Sequence, residues 1–145
     1  MPEVSVVLDT HVLIKAILKL NHEEESAYNA MITRRHKLLF SQRILDQYQT
    51  IIHKHYNFPA TYILIRLREL EEIHPVKKVR EGDIKSVNIK DLETNDRPFV
   101  ELACNRAEFL VTNDPHFHKG KRPREFRDKC RFAVKYAVDY AENEE

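Results

Sequence analysis

Three aspartates, Asp9, Asp96 and Asp114, fall where the chain could bring them into one acidic site. Asp9 closes the run Val4–Leu8, whose composition and length read as a short buried strand. Helical spacing starts at once after it, with Val12, Leu13, Ala16, Ile17 and Leu20 on one face. Asp114 follows a second apolar run, Phe109-Leu110-Val111, and Asp96 opens the helical segment before that run. If the strands are parallel and the connecting helix returns antiparallel to them, all three acids meet at the carboxyl edge of the sheet. Carboxylates held together repel, and a divalent cation relieves the repulsion. An all-oxygen donor set suits Mg²⁺ or Mn²⁺ rather than zinc. Such an ion activates water and stabilises charge on a phosphoryl group. Each acid also has a structural role open to it. Asp9 can cap a helix, Asp96 can favour a first turn, and Asp114 can shape the turn before Pro115.

The elements that must position these residues alternate. Helices are expected over His11–Leu20 and Glu23–Arg35, the second with acids at its start and bases at its end, as the helix dipole prefers. Leu38-Leu39-Phe40 reads as a second strand. Ser41 then caps a third helix to about His55, whose stripe is Ile44, Leu45, Tyr48, Ile51 and Ile52. Asn57-Phe58-Pro59 stops it, and Pro59 suits the first turn of a fourth helix with Ile63, Leu64, Leu67 and Leu70 buried. Ile73–Val79, holding Pro75, suits an edge strand. Residues 80–93 read as a polar loop, and Asn95 as the cap of a fifth helix with Pro98 in its first turn. Residues 131–140 fit a strand, a helix or one after the other, and Asp139–Glu145 reads as a fraying acidic tail. Strands separated by helices give an α/β chain. The expected fold is a three-layer α/β/α sandwich with a central, mostly parallel sheet. One domain over residues 1–145 is expected, with 116–145 as a basic loop and a C-terminal element.

Composition narrows the classes. At 42% hydrophobic and 32% charged residues, the chain is globular rather than disordered. Two glycines exclude Gly-rich phosphate loops. Cys104 and Cys130 are too few for a disulfide framework or a zinc cluster and suit a reducing interior; Cys104 reads as core and Cys130 has no assigned place. No secretory leader and no membrane span of roughly 20 apolar residues is expected, so a cytoplasmic location is.

Val-Val-Leu-Asp9-Thr10, Asp96 followed by Phe99-Val-Glu-Leu-Ala103, and Leu-Val-Thr112-Asn113-Asp114 followed by Phe117 resemble a PIN domain. The likeness covers roughly residues 4–117 and is nearest to small prokaryotic PIN proteins of the VapC type, the toxins of toxin–antitoxin pairs. It implies a metal-dependent endoribonuclease, with Asp9, Asp96 and Asp114 holding Mg²⁺ or Mn²⁺. Thr10, Ser41, Gln47, Thr112 and Asn113 are the implied supporting residues. An RNA substrate, an antitoxin partner and a homodimer are implied as well. One position departs from the pattern: PIN domains usually carry an acid six residues beyond a Ser such as Ser41, where this chain has Gln47. At about 100° per residue, Asp46 points roughly 160° from the apolar stripe and Gln47 roughly 100°. Gln47 is therefore the residue expected at the site edge, offering a carbonyl oxygen but no charge.

Residues 116–131 hold seven Lys or Arg against Glu125 and Asp128. Lys119, Lys121, Arg122, Arg124 and Arg127 are the expected contacts to nucleic-acid phosphates. Phe117 and Phe126 could stack on bases or be buried. Lys77, Lys78 and Arg80 form a weaker cluster, and His53 and His55 read as surface residues. Two other readings remain open. One is a PIN scaffold that binds nucleic acid or a protein without useful catalysis, motivated by Gln47. The other is a phosphotransfer enzyme, which would want a second Asp at position 11, where His11 stands.

Overall fold

The computed structural model describes residues 3–142. Five parallel strands form one sheet in the order β3-β2-β1-β4-β5, with β1 Ser5–Leu8, β2 Lys37–Ser41, β3 Val76–Val79, β4 Phe109–Val111 and β5 Ala133–Lys135. Among the described residues seven α-helices accompany it: α1 Thr10–Ile17, α2 His22–Arg34, α3 Gln42–Tyr56, α4 Thr61–Glu71, α5 Arg97–Arg106, α6 Arg122–Cys130 and α7 Ala137–Glu142. The expected three-layer α/β/α architecture is the observed one, with every strand pair parallel.

Burial explains the strand order. Val6, Val7 and Leu8 of the central strand are fully buried, as a parallel strand covered on both faces must be. β3 lies at an edge, and Lys77 and Lys78 on it are exposed. Pro75 stands just before β3, where its missing N–H costs nothing, and its carbonyl accepts from Leu38 N at 3.1 Å. The chain winds outward from β1 through β2 to β3, then returns to the far side of β1 for β4 and β5. The strand order therefore reverses between β1 and β4. Open α/β sheets bind ligands outside the carboxyl ends of the strands at such a switch point.

Several local expectations change. Residues 122–130 of the basic stretch are a helix, α6, rather than a loop. Residues 131–140 hold a strand followed by a helix. Arg34 fastens that helix by donating to the Tyr140 and Ala141 carbonyls at 2.6 and 2.9 Å. Asp139–Glu142 are thus helical rather than frayed, and residues 143–145 lie outside the described residues. Asp96, not Asn95, is the residue at the start of α5, and Pro59 precedes α4 rather than entering its first turn. Asn57 ends α3 in the left-handed region at φ 61°, which a short amide side chain tolerates.

The two cysteines also depart from expectation. Cys104 of α5 and Cys130 of α6 form a disulfide across 26 residues, so neither is a free core or surface thiol. It ties the helix that begins at Asp96 to the helix of the basic stretch. Closing a loop of this length stabilises a fold by about 3 kcal/mol, mainly by restricting the unfolded chain. Reduction, or a Cys104→Ser, Cys130→Ser double variant, is expected to lower the urea-unfolding free energy by about that amount, with the two treatments not additive.

Candidate acidic site at the carboxyl edge

Asp9 leaves β1 in extended geometry and caps α1, so its backbone serves both elements. Its amide continues the ladder by donating to Val111 of β4 at 2.9 Å. Its carboxylate accepts from Thr10 N at 2.9 Å and from the Thr112 hydroxyl at 2.6 Å. Thr112 is fully buried, and its hydroxyl also accepts from Asp114 N at 3.0 Å. One side chain thus joins the ends of β1 and β4 and fixes both aspartates. From below, the buried Tyr48 hydroxyl of α3 donates to Leu8 O at 2.6 Å. Burial raises the Tyr48 hydroxyl well above its usual range, and the Asp9 charge raises it further, so it stays a donor.

The three predicted acids meet electrostatically. Asp96 is half-buried, and its side chain makes no cap hydrogen bond. Burial, then the charges of Asp114, Asp9 and Glu93, push its carboxyl up to about 6, with His116 opposing. Burial likewise raises the Asp9 carboxyl, against the pull of its hydrogen bonds to Thr112 and Thr10; Asp114 adds to the rise. Asp114 accepts from His116 N at 3.0 Å. Among the described residues, no Lys or Arg pairs with Asp9, Asp96 or Asp114. Nearby arginines are committed elsewhere. Arg97 pairs with Glu101 and donates to the Val87 and Ile89 carbonyls, and Arg43 pairs with the same Glu101. The His116 imidazole lies 3.6 Å from Asp114, and an oxygen-rich donor set that no Lys or Arg neutralises fits a hard divalent cation. Asp96 with Glu93 and His116 forms a further compact group, their ligand atoms within 4.8 Å of one another.

The supporting residues divide. Thr112 acts on the carboxylates directly, as above. Thr10 supplies its backbone N–H to Asp9, while its buried hydroxyl has no partner among the described residues. Ser41 is buried at the carboxyl end of β2, beside β1, and its hydroxyl caps α3 by accepting from Ile44 N. Gln47 donates to Asn95 O at 2.5 Å, beside Asp96, whereas Asp46 is exposed and accepts from Gln42. Asn113 Nδ2 donates to Glu24 at 2.8 Å, and its Oδ1 accepts from Ala137 N at 2.9 Å.

Glu24 is the residue that sequence reasoning missed. It is 3% exposed and lines one cleft with Asp9, His11, Asn113 and Asp114. The Glu23–Glu25 run read as a dipole-favoured helix start. Its signal was phase, because Glu24 shares the buried side of α2 with Ala27 and Met31.

A comparison with family models matches residues 5–116 to the PIN domain. The chain belongs to the PIN domain family. No curated protein is significantly similar to it. PIN domains have a nuclease-type fold and are generally hydrolases, and PIN nucleases typically use divalent metals. No helix among the described residues is long and apolar enough to cross a membrane.

The basic stretch is only partly free. Arg122 donates to the Lys90 and Asp91 carbonyls and pairs with Glu125, and Lys129 reaches Asn88 O. These two hold the 88–91 loop in place. Lys119, Lys121, Arg124 and Arg127 are exposed, and Lys119 lines a cleft with Asp96 and His116. Phe117 and Phe126 are buried, Phe126 stacked on Phe132, so neither offers a base platform.

The raised Asp96 carboxyl has a pH consequence. Its value near 6 in the fold exceeds the 3.8 of a free aspartate, so the unfolded chain binds fewer protons between these values. In metal-free buffer this group therefore costs stability as pH rises from about 4 to about 6. Asp96→Asn is expected to remove that loss and to be more stable than the parent at pH 7. Urea unfolding at pH 4.5 and pH 7 checks this, and identical pH slopes for the two proteins would contradict it.

Proposed function

We propose that this PIN domain protein is an endoribonuclease that hydrolyses RNA phosphodiester bonds with Mg²⁺ or Mn²⁺. The observation that carries the reading is the convergence of Asp9, Asp96 and Asp114 at the switch point between β1 and β4, unpaired by Lys or Arg. Asp9, Asp96 and Asp114 would hold the cation. When bound, it would activate water and stabilise charge on the phosphoryl oxygens. The chain's own residues then have definite tasks. The buried Thr112 hydroxyl keeps the Asp9 carboxylate oriented. Lys119, Lys121, Arg124 and Arg127 supply phosphate contacts that follow the backbone rather than the sequence of a nucleic acid. The toxin role, with an antitoxin partner and a homodimer, is supported by the resemblance of the motifs.

Gln47 favours a second reading, a PIN scaffold that binds nucleic acid with little or no hydrolysis. Its amide is committed to Asn95 O and brings no negative charge to the site.

Cleavage of pooled RNA with Mn²⁺ separates the two. Asp9→Asn is expected to reduce the rate by about a hundredfold or more, with chelation abolishing the parent's activity. Equal cleavage by Asp9→Asn would sink the nuclease reading. Gln47→Glu is expected to raise cleavage and tighten metal binding. A parent protein that binds RNA without cutting it, and cuts it once Glu stands at 47, would establish the scaffold instead.

A further inference from the structure

We propose that Glu24 is a fourth carboxylate of the acidic site and binds the same divalent cation as Asp9 and Asp114. The inference rests on the proposed metal site and adds a residue from α2, outside the three predicted aspartates. Glu24 is almost fully buried. One oxygen, Oε2, accepts from Asn113 Nδ2 at 2.8 Å, and Asn113 is itself fixed by Ala137 N. The other, Oε1, is buried and has no hydrogen-bond partner among the described residues. No Lys, Arg or His forms an ion pair with Glu24 there either, although Lys15 lines the same cleft. Buried charges are paired or coordinate metals. This one is held by a single amide and shares its cleft with two further carboxylates, Asp9 and Asp114.

The charge count makes sense of the arrangement. Position 47 contributes a neutral amide that is turned to Asn95 O. Glu24 supplies a negative charge to the site from a different helix, through a different cleft. Asn113 orients it: with Oε2 engaged, Oε1 is the free donor atom. The α2 run Glu23-Glu24-Glu25 then has divided labour, with Glu23 exposed at the helix start and Glu24 turned inward.

The test is Mn²⁺ binding to the full-length protein, read by isothermal titration and by the electron paramagnetic resonance of free Mn²⁺. Glu24→Gln keeps an oxygen for Asn113 and removes the charge. It is expected to weaken Mn²⁺ binding by about tenfold or more while leaving the circular dichroism and melting temperature near those of the parent. Parent-like affinity in Glu24→Gln, with binding lost in Asp9→Asn, would make Glu24 an anchor for Asn113 only and leave the metal site standing. No Mn²⁺ uptake by the parent at millimolar concentration would overturn both. Should Glu24→Gln fail to fold, Glu24→Asp keeps the charge but withdraws it by one methylene. A tenfold loss there supports the proposal, and unchanged affinity overturns it.

Discussion

Like charges crowded at one sheet edge are the constraint on which the rest of this structure depends. Asp9 and Asp114 follow adjacent strands, β1 and β4, and Asp96 starts the helix that leads into the second of them. Their repulsion opposes folding, and the one base that pairs with them among the described residues is His116, 3.6 Å from Asp114, while Arg97 and Arg43 pair with Glu101 and Arg122 with Glu125 and the 88–91 loop. What holds the edge together is neutral. The Thr112 hydroxyl bridges Asp9 and Asp114 N, Tyr48 fixes Leu8 O, and β-ladder bonds continue through Asp9 N. A scaffold that is rigid while no Lys or Arg pairs with its acids is preorganised for a cation.

Much of this was legible in sequence because it depends on period and position. Continuous apolar runs at Val4–Leu8 and Phe109–Val111 mark buried strands, and the acids that end them inherit a shared edge from parallel topology. Helix phase turned Asp46 to solvent and Gln47 inward, and in the structure Asp46 is exposed while Gln47 bonds the Asn95 carbonyl. The same reasoning applied to α2 would have found Glu24, but three consecutive glutamates at a helix start have a sufficient electrostatic explanation.

Other features depend on long-range contacts that no local pattern encodes. The disulfide between Cys104 and Cys130 exists because α5 and α6 pack together, and two isolated cysteines carry no such signal. The basic stretch looked uniform, yet folding divides it. Arg122 and Lys129 turn back to cap loop carbonyls, while Lys119, Lys121, Arg124 and Arg127 face solvent. A run of like charges in sequence reports composition; which of them are available to phosphate is decided by helix phase and by the loop packed beside it.

The central claim is that the carboxyl edge between β1 and β4 is a divalent-cation site. Anomalous scattering from Mn²⁺-soaked crystals tests it most directly. The account requires a manganese peak within bonding distance of an Asp9 carboxylate oxygen, with Asp96 or Asp114 among its neighbours. Crystals that take up manganese only elsewhere, or show no peak at this edge in saturating Mn²⁺, would contradict it.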